Sequence, residues 1–352
     1  MKKSLLGITL LALLAVLSGC ASASGSGKAE YVYSFNIQPA ATHKFHTDVV
    51  APWAEYVEEQ TDGRVKIEIY NSGALGNLAT AYEDIEGGLY DIGYVSPSAS
   101  TSTPAYPLTL GDLPFAILDP MDSPKVLQPF IDEFMQDEFE DSIPLAISAT
   151  DAYQLITTEP VETVEDVKNK KVIVSGKERV QLVELWGGVP VTLGIEENYQ
   201  ALDRGTVDQT TYTAIGANGF RLFEAAPYLT KVDIGATTLL FLMNERAFDK
   251  LPDDLQKQFE EDFGPKLSEL NSKMYSEGTA DALVQFEKEV ADKGGRVIVP
   301  EGETLAEFRA PAGQIWEDWV KNAEKKGYDN AQEMMDFFTE TLEEQGIDSP
   351  VD

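Results

Sequence analysis

The chain contains only two histidines, His43 and His46, and their spacing is one that can bind a metal. An H-x-x-H pair at the start of a predicted helix can place two imidazoles on one face, a geometry that zinc accepts. A zinc site also needs further His, Cys or suitably placed acidic ligands, so the pair alone does not make one. We expect no metal site and no cofactor, with capping or solvated roles for both imidazoles.

The familiar catalytic and cofactor motifs are absent from the sequence. It contains no G-x-S-x-G nucleophile elbow, no phosphate-binding loop and no G-x-G-x-x-G fingerprint. Carboxylates are abundant, with 60 Asp and Glu, so their pairing alone says nothing about glycosidase chemistry. No nucleophile is paired with a histidine in a way that would support covalent catalysis. We therefore predict that the protein is not an enzyme.

Two stretches of the chain have the element order of a parallel α/β sheet. Hydrophobic periodicity predicts strands and helices that alternate in both stretches. The first has strands at 31–36, 65–70 and 91–95 with helices near 44–60 and 79–87, and the second has strands at 171–174, 189–191 and from 206 with helices near 180–186 and 198–204. Two such lobes facing each other form a cleft at the carboxyl ends of their strands, where open α/β sheets hold ligands.

The remaining segments connect these two lobes. The pattern predicts a strand at 146–157 that passes between them, a returning apolar segment at 234–244, strongly helical sequence at 251–289, a short strand at 297–299, and amphipathic helices at 305–326 and 331–344. We assign lobe I to residues 30–150 plus about 236–278, and lobe II to residues 151–235 plus about 279–345.

The charge balance excludes one class of partner. The 60 acidic residues outnumber 27 Lys and Arg, which gives a formal net charge of −33. Such a surface repels the phosphates of nucleic acids, so we expect no nucleic-acid partner. A solvated acidic surface suited to a salty medium explains the charge, and attraction of cations to the ligand pocket remains an additional interpretation.

The N-terminus has the pattern of a targeting segment. Lys2 and Lys3 precede an apolar stretch that is too short to span a membrane comfortably. The following LSGC at 17–20 resembles the lipobox of bacterial lipoproteins, in which the cysteine carries diacylglycerol. Cys20 is the only cysteine, and residues 20–29 have the composition of a flexible tether. We predict a signal peptide at 1–19 and a lipid anchor at Cys20; an ordinary secretory signal is the alternative, and both place the protein outside the cytoplasmic membrane.

Eight short blocks, taken in order, resemble the solute receptors of tripartite ATP-independent periplasmic (TRAP) transporters. They are TDGRV at 61–65, GALG at 73–76, GLYDIG at 88–93, LPF at 113–115, EDVK at 165–168, GVPV at 188–191, ALDRGTVD at 201–208 and LP at 251–252. Each block is weak by itself, but their order and spacing extend over roughly residues 30–340.

The resemblance implies a two-lobed periplasmic binding protein fold of the α/β class. In that fold the ligand cleft lies between the lobes and a long helix spans both. It also implies capture of a small organic solute by lobe closure, followed by delivery to TRAP membrane permease subunits that are driven by an ion gradient. We expect a monomer. An ABC-type solute receptor is the nearest alternative.

The chain departs from this family where the ligand would be held. Most receptors of the class place an arginine on a second-lobe strand to bind a substrate carboxylate through two hydrogen bonds. Here that position is Ile173. A second arginine used by some members falls near Tyr153, and the asparagine that often follows the Val-Asp-Gly motif falls near Tyr212. A cleft without fixed positive charge would not offset the desolvation of a carboxylate.

The residues that remain near the expected cleft are aromatic and acidic: Phe35, Tyr94, Tyr153, Trp186 and Tyr212, with Asp151, Glu184 and Asp208 close in sequence. Aromatic faces beside a carboxylate suit an ammonium group, and they also suit a polyol. We therefore expect a small amine or a neutral polyol rather than a simple dicarboxylate. The predicted ligand-binding residues are Asn36, Ser96, Tyr153, Ile173, Trp186, Asp208 and Tyr212.

Three alternatives stay open at this point. Core packing is the competing role for each aromatic side chain, and a turn anchor is the competing role for Asp208. An arginine could also reach the cleft from elsewhere in the chain. Arg179, Arg204 and Arg221 are the nearest candidates in sequence, and any of them would restore carboxylate binding.

Overall fold

The computed structural model describes residues 29–136 and 138–348. The predicted signal peptide at 1–19, Cys20 and the tether before residue 29 lie outside the described residues. Within the described ranges, no helix combines the length and the apolar character that are needed to cross a membrane.

Eleven strands and twelve α-helices make up the described part of the chain. The strands are β1 Tyr31–Asn36, β2 Val65–Tyr70, β3 Ile92–Val95, β4 Ser142–Ala149, β5 Tyr153–Thr157, β6 Lys171–Ile173, β7 Val189–Val191, β8 Gln209–Thr213, β9 Tyr228–Thr230, β10 Thr238–Asn244 and β11 Arg296–Ile298. The α-helices are α1 Ala51–Gln60, α2 Ala81–Glu86, α3 Ser123–Phe134, α4 Lys177–Leu185, α5 Ile195–Asp203, α6 Ala214–Gly219, α7 Glu245–Phe248, α8 Asp253–Gln258, α9 Gly264–Val290, α10 Gly302–Arg309, α11 Ala312–Lys325 and α12 Ala331–Glu344.

The first sheet has five strands in the order β2-β1-β3-β10-β4. β1 pairs in parallel with both β2 and β3, whereas β10 runs antiparallel to β3 and to β4. The carboxyl ends of β1 to β4 therefore meet at one edge of the sheet, together with the first residue of β10. This sheet is the centre of lobe I.

The second sheet has six strands in the order β11-β9-β5-β8-β6-β7. β6 is parallel to β7 and β8, and β9 is parallel to β11, while β5 runs antiparallel to its neighbours β8 and β9. The carboxyl ends of the parallel strands meet the start of β5 at the edge that faces lobe I. The two sheets confirm the predicted two-lobed α/β architecture.

The chain crosses between the lobes differently from the single strand predicted at 146–157. β4 pairs with β10 as far as Ala149, and β5 pairs with β8 from Tyr153 onward. Residues 150–152 belong to neither sheet because the backbone changes sheets there. The side chain of Asp151 accepts a hydrogen bond from the backbone N–H of Ile215 at 3.3 Å, which fixes this crossing against α6.

Two other boundaries differ from the sequence pattern, each for a local reason. The N–H groups of Thr206 and Val207 bond to the carbonyl of Ala201, so these residues complete the end of α5 and β8 begins later, at Gln209. The helix predicted at 305–326 is two helices, because Pro311 has no N–H to donate and its ring obstructs a continuous helix.

The long helix α9 spans both lobes, as predicted. Its 27 residues extend over about 40 Å at the normal rise per residue. It packs against β4 of lobe I and against α6 and β11 of lobe II. Gly264 lies where the helix approaches β4 most closely, because a Cβ at this position would stand 2.1 Å from the carbonyl oxygen of Leu145.

The C-terminal helices close one side of the molecule over a shared core. The indole N–H of Trp316 donates to the carbonyl of Pro114 at 3.1 Å, and that of Trp319 donates to Thr109 Oγ1 at 2.8 Å. α11 packs against α4 of lobe II, whereas α12 packs against α3 of lobe I. The C-terminal helices therefore contact both lobes, and the residue boundaries assigned to the lobes stay a prediction.

Candidate functional site

A cavity of about 460 Å³ lies between the facing edges of the two sheets. Both lobes, the crossing segments and α9 contribute to its walls. The lining residues are Pro39, Phe45, Leu78, Tyr94, Ser96, Ser98, Ala99, Thr150, Tyr153, Ser175, Gly176, Arg179, Thr237, Leu239 and Tyr275. The cavity is thus in the position where open α/β sheets hold ligands.

Arg179 supplies the charge of this cavity. It is the only charged residue among the cavity's described lining residues. Its guanidinium donates from Nε to the carbonyl of Ser175 at 2.9 Å, from Nη1 to that of Ala236 at 3.0 Å, and from Nη2 to Thr237 Oγ1 at 3.2 Å. It also stacks on the ring of Tyr153, with Cζ 4.0 Å from the ring centroid. The side chain is 4% exposed, so the cation is held rigidly at the wall.

The turn from β6 to α4 determines where this guanidinium lies. Gly176 precedes α4 with a φ of +85°, a conformation that other residues adopt only with strain. A Cβ at Gly176 would stand 3.1 Å from Nη2 of Arg179, so a side chain here would press on the guanidinium. Ser175 and Gly176, which precede α4, line the cavity, so the backbone N–H groups of the first turn and the positive end of the helix dipole lie at this wall and favour an anion.

Two carboxyl groups, those of Asp112 and Glu178, interact electrostatically with Arg179. Asp112 is 2% exposed and accepts the backbone N–H of Thr238 at 2.6 Å. Burial raises the pKa of Asp112, and the Arg179 charge opposes that rise. Burial likewise raises the pKa of Glu178, and the Asp112 charge adds to the effect. In both groups, burial therefore opposes the ionised form, and the Arg179 charge favours it.

The rest of the cavity wall is aromatic, aliphatic or neutral and polar. The ring of Tyr94 meets that of Phe45 edge to face, with centroids 5.4 Å apart. Burial raises the pKa values of Tyr94 and Tyr275 above their ordinary value, so both phenols keep their protons and can donate hydrogen bonds. On the lobe I side, the hydroxyls of Ser96 and Ser98 lie 3.1 Å apart.

A second cavity, of about 250 Å³, opens beside the first on lobe II. It is lined by Ile173, Val174, Ser175, Leu193, Asn198, Thr211 and Tyr212. Ser175 lines both cavities, and the rings of Tyr153 and Tyr212 meet edge to face between them with centroids 6.1 Å apart. The two cavities therefore adjoin at the end of β6.

The structure brings four of the seven predicted ligand-binding residues to these cavities. Ser96 and Tyr153 line the larger one, and Ile173 and Tyr212 line the smaller one. Asn36 lies at the end of β1, where its side chain donates to the carbonyl of Gly76 and accepts the N–H of Leu75, so it holds the loop after β2 in place.

The structure places the other two predicted residues away from both cavities. Trp186 is 1% exposed, donates to the carbonyl of Phe308 at 2.9 Å and packs in the shared core. Asp208 lies at the opposite, amino-terminal end of β6 and β8, where its carboxylate accepts the N–H of Lys171 at 2.8 Å. Core packing describes the surroundings of Trp186 and a turn anchor those of Asp208, and neither residue lines either cavity.

The expectation of a cleft without positive charge is corrected by Arg179. The strand position is indeed Ile173, but the helix that follows the strand returns a guanidinium to the same edge. Among the three candidates, Arg204 is exposed, and Arg221 is exposed and pairs with Glu224. The signal for Arg179 was its position three residues after the Ser-Gly turn, at the start of a helix that follows a buried strand.

Asp151 is an acidic residue close in sequence to the expected cleft, and the sequence alone indicates no role for it. Its side chain has no solvent exposure and lies in the segment that crosses between the lobes. Burial raises its pKa to about 7, although hydrogen bonds from Ile215 and neighbouring groups act in the opposite direction. One carboxyl oxygen, Oδ1, has no hydrogen-bond partner among the described residues. Asp151 is thus a buried titratable group in the segment that crosses between the lobes.

The histidine pair has a structural setting of its own. Nδ1 of His43 accepts the backbone N–H of Phe45 at 3.0 Å, at the start of the helical segment that leads into α1. Burial lowers the pKa of His43, which favours the neutral ring that this acceptor role requires. In the ranges that the structure describes, no group of three or more His, Cys, Asp and Glu is close enough to hold a metal ion.

A larger concavity of about 830 Å³ lies on the outer side of lobe I, between α3, the start of β4 and α9. Its rim carries charges of both signs, including Lys125, Asp132, Glu260 and Glu269. It does not adjoin the carboxyl ends of the parallel strands, where this fold class holds ligands. The cavity between the lobes is therefore the better candidate for a ligand site.

Comparison with known proteins agrees with this geometry. Residues 35–322 match the family described as bacterial extracellular solute-binding protein, family 7. A solute-binding protein of a Sulfitobacter species is 27% identical over 223 residues, which are 61% of this chain and 66% of that protein. The aligned segment therefore spans about two thirds of that relative's length.

Solved structures resemble the whole fold. A TRAP periplasmic solute-binding protein from Desulfovibrio salexigens has a TM-score of 0.81 at 21% identity, over 91% of this chain and 98% of that one; it carries the C-terminus of a symmetry mate in its ligand site. A marine metagenome TRAP protein specific for aromatic acid ligands, in complex with 3-hydroxybenzoate, has a TM-score of 0.78 at 23% identity, over 90% and 99% of the two chains.

Proposed function

The chain belongs to family 7 of the bacterial extracellular solute-binding proteins, the solute receptors of TRAP transporters, and on that premise we propose that it captures a small monocarboxylic acid with an apolar or aromatic body. The family consists of solute-binding receptors, which are not enzymes. The single observation that carries the proposal is the position of Arg179, the only charged residue among the described lining residues of the cavity between the lobes.

A guanidinium in this setting suits a carboxylate for three physical reasons. It is fixed by three hydrogen bonds and by stacking on Tyr153, so little conformational entropy is lost when a ligand binds. Each of its terminal nitrogens carries two N–H groups, and one described hydrogen bond leaves from each. The first turn of α4 adds backbone N–H groups and a favourable dipole at the same edge.

The walls favour one carboxylate rather than two, and an apolar body. No second cation lines the described cavity, so a dicarboxylate would leave one charge buried without a partner. The rings of Phe45, Tyr94 and Tyr275 and the side chains of Leu78 and Leu239 offer surfaces for an aromatic ring or a short hydrocarbon. The metagenome relative binds aromatic acids, and a chain terminus such as the one in the Desulfovibrio protein carries a carboxylate, which gives independent support.

This proposal replaces the small amine and the neutral polyol that the sequence favoured. Those ligands were inferred from a cleft without fixed positive charge. An ammonium group near Arg179 would be repelled, and no carboxylate is among the described lining residues of the cavity to offset that repulsion. A polyol would leave the guanidinium charge without a counter-charge in a largely desolvated site.

Titration calorimetry with four ligands of similar shape tests the proposal: benzoate, benzamide, benzyl alcohol and benzylamine. We expect the purified protein to bind benzoate at least about ten-fold more tightly than the three ligands that lack the carboxylate, because only benzoate forms charge-assisted hydrogen bonds with Arg179. Arg179→Gln removes the charge and should abolish this preference, whereas Arg204→Gln, a change at an exposed arginine of the same lobe, should leave it intact.

Unfolding of Arg179→Gln is measured in parallel, because its guanidinium also bonds to Ser175 and Ala236. If that variant does not fold, Arg179→Lys serves instead; it keeps the charge but loses the planar pair of donors, and it should weaken benzoate binding. Equal affinity for benzoate and benzylamine, or undiminished benzoate binding by a folded Arg179→Gln protein, would contradict the proposal.

Delivery to a permease and attachment to the membrane extend the same proposal. We infer that the loaded receptor docks on TRAP permease subunits and that the acid enters the cell by ion-gradient-driven uptake, with Cys20 carrying the lipid anchor. Uptake of radiolabelled acid into cells that express receptor and permease together tests the delivery. Uptake that persists without the receptor gene would contradict it.

A further inference from the structure

One residue that lines the smaller cavity on lobe II carries a buried polar atom that the carboxylate site does not use. Asn198 lies on α5, is 2% exposed and lines this cavity of about 250 Å³. Its Nδ2 donates to Thr210 Oγ1 at 3.4 Å, while its Oδ1 has no hydrogen-bond partner among the described residues. Native proteins pair nearly all buried polar atoms, so this acceptor calls for an explanation.

The hydroxyl groups of the neighbouring Thr210 and Thr211 bond to a backbone carbonyl and not to Asn198 Oδ1. Thr210 Oγ1 lies 3.4 Å from the carbonyl oxygen of Ile173, and Thr211 Oγ1 donates to the same oxygen at 3.3 Å. The two threonines thus share an acceptor at the end of β6. A group that donates a hydrogen bond from within the cavity would give Asn198 Oδ1 its missing partner.

The geometry points to a side subsite, and we propose that this cavity receives a hydroxyl group at the far end of the bound acid, with Asn198 Oδ1 as its acceptor. The inference rests on the proposed function, because it assumes that the carboxylate lies on Arg179. Ser175 makes the connection: its carbonyl accepts Arg179 Nε at 2.9 Å, and the same residue lines both cavities. A solute anchored on Arg179 therefore begins beside the entrance to the smaller cavity.

Selectivity follows from the cost of leaving a buried acceptor unpaired. A hydroxylated acid would pair Asn198 Oδ1, while its ring or chain would contact Ile173, Leu193 and Tyr212. An acid of the same shape without the hydroxyl would fill the space but leave the amide oxygen unpaired. Sites built to bond a hydroxyl discriminate strongly against the ligand that lacks it.

Calorimetry with matched acid pairs tests the subsite: benzoate against 3-hydroxybenzoate, and phenylacetate against 3-hydroxyphenylacetate. We expect the wild-type protein to bind the hydroxylated member of at least one pair about ten-fold more tightly. Asn198→Leu should remove this gain, so that the two members of each pair bind with affinities within about two-fold of one another.

Asn218→Leu is the matched control. Asn218 is another partly buried asparagine whose amide oxygen has no described partner, but it lies on α6 and lines neither cavity. This change should leave the ratio of affinities between the two acids of each pair unaltered. If Asn198→Leu does not fold, Asn198→Ser, a smaller polar side chain, makes the same comparison.

The outcomes separate this inference from the proposed function. If the acids bind with dependence on Arg179 but the hydroxyl brings no gain, or the gain survives in Asn198→Leu, the subsite is overturned and the carboxylate site stands. If none of the acids binds, the proposed function fails and the subsite fails with it.

Discussion

At the scale of single residues, the position of one guanidinium determines the chemistry of the cleft. Arg179 is fixed by backbone carbonyls, a threonine hydroxyl and an aromatic face, and burial raises the pKa values of the neighbouring Asp112 and Glu178. The sequence revealed the replacement at Ile173 but could not show that the following helix restores the charge. That depends on the rotation of α4 about its axis, which the Gly176 turn and tertiary packing decide.

The residues at strand ends were easier to predict than those on helices. Ser96 and Tyr153 lie at carboxyl or starting ends of strands on the cleft edge, and the parallel-sheet pattern is enough to place such positions. Trp186, immediately after the helix that follows β6, was ambiguous in the sequence because an aromatic residue at helical spacing can face either the core or a ligand. The hydrogen bond to Phe308 joins residues 122 apart, and no local pattern encodes such a contact.

Asp151 gives a prediction for the pH dependence of stability. Its pKa is raised from 3.8 to about 7 in the folded protein, so between these values the folded state holds a proton that the unfolded state has released. Its contribution therefore makes stability fall as the pH rises through this window, by up to about 4 kcal/mol. Asp151→Asn should remove this dependence and make the protein more stable than wild type at pH 8, but not at pH 4.

Urea unfolding of both proteins at several pH values between 4 and 8 provides the measurement. The difference in unfolding free energy between variant and wild type should grow with pH. Asp203→Asn, at an exposed position, serves as the control and should give a small difference without this trend. A constant difference for Asp151→Asn across the pH range would show that the carboxyl does not titrate there.

At the scale of elements, the periodic segments were predicted closely and the breaks were not. The strand at 31–36 and the helix at 331–344 have the predicted bounds, because alternation and helical spacing are local signals. The break at 150–152 has no such signal, since the chain leaves one sheet and joins another in response to tertiary pairing. The split at Pro311 carried a local signal, and the apolar periodicity across it concealed the break.

The packing of α9 against β4 leads to a prediction about the stability of the folded protein. Gly264→Ala should destabilise the protein by about 1–3 kcal/mol, because the new Cβ would stand 2.1 Å from the carbonyl oxygen of Leu145 and the helix would have to shift. Gly313→Ala is the matched control in α11, where a Cβ would meet nothing within 4 Å. Removal of a helical glycine there should be neutral or stabilising by up to about 1 kcal/mol.

Chemical denaturation of the two variants beside wild type measures both effects. If Gly264→Ala lowers the free energy of unfolding no more than Gly313→Ala does, the contact between α9 and β4 is looser than described. The ligand affinity of both variants should also be measured. Since α9 contributes Tyr275 to the cavity, a shift of the helix would also disturb the site.

At the scale of the whole molecule, two lobes with facing strand ends enclose a cavity that neither could form alone. The two-lobed class, the cleft and the long helix were predictable because they follow from the order of strands and helices and from the resemblance in eight short blocks. The path of the C-terminal helices was not, since α12 packs on lobe I through contacts distant in sequence. We propose that the site closes around a solute by movement at the two crossing segments.

A crystal structure of the protein with its tightest-binding acid would show directly whether Arg179 binds the carboxylate. We predict a carboxylate in the cavity between the lobes, with its oxygens about 2.7–2.9 Å from the terminal nitrogens of Arg179 and its body against Tyr94, Tyr153 and Tyr275. A ligand elsewhere, or one that leaves Arg179 bonded only to Ser175, Ala236 and Thr237, would contradict the account.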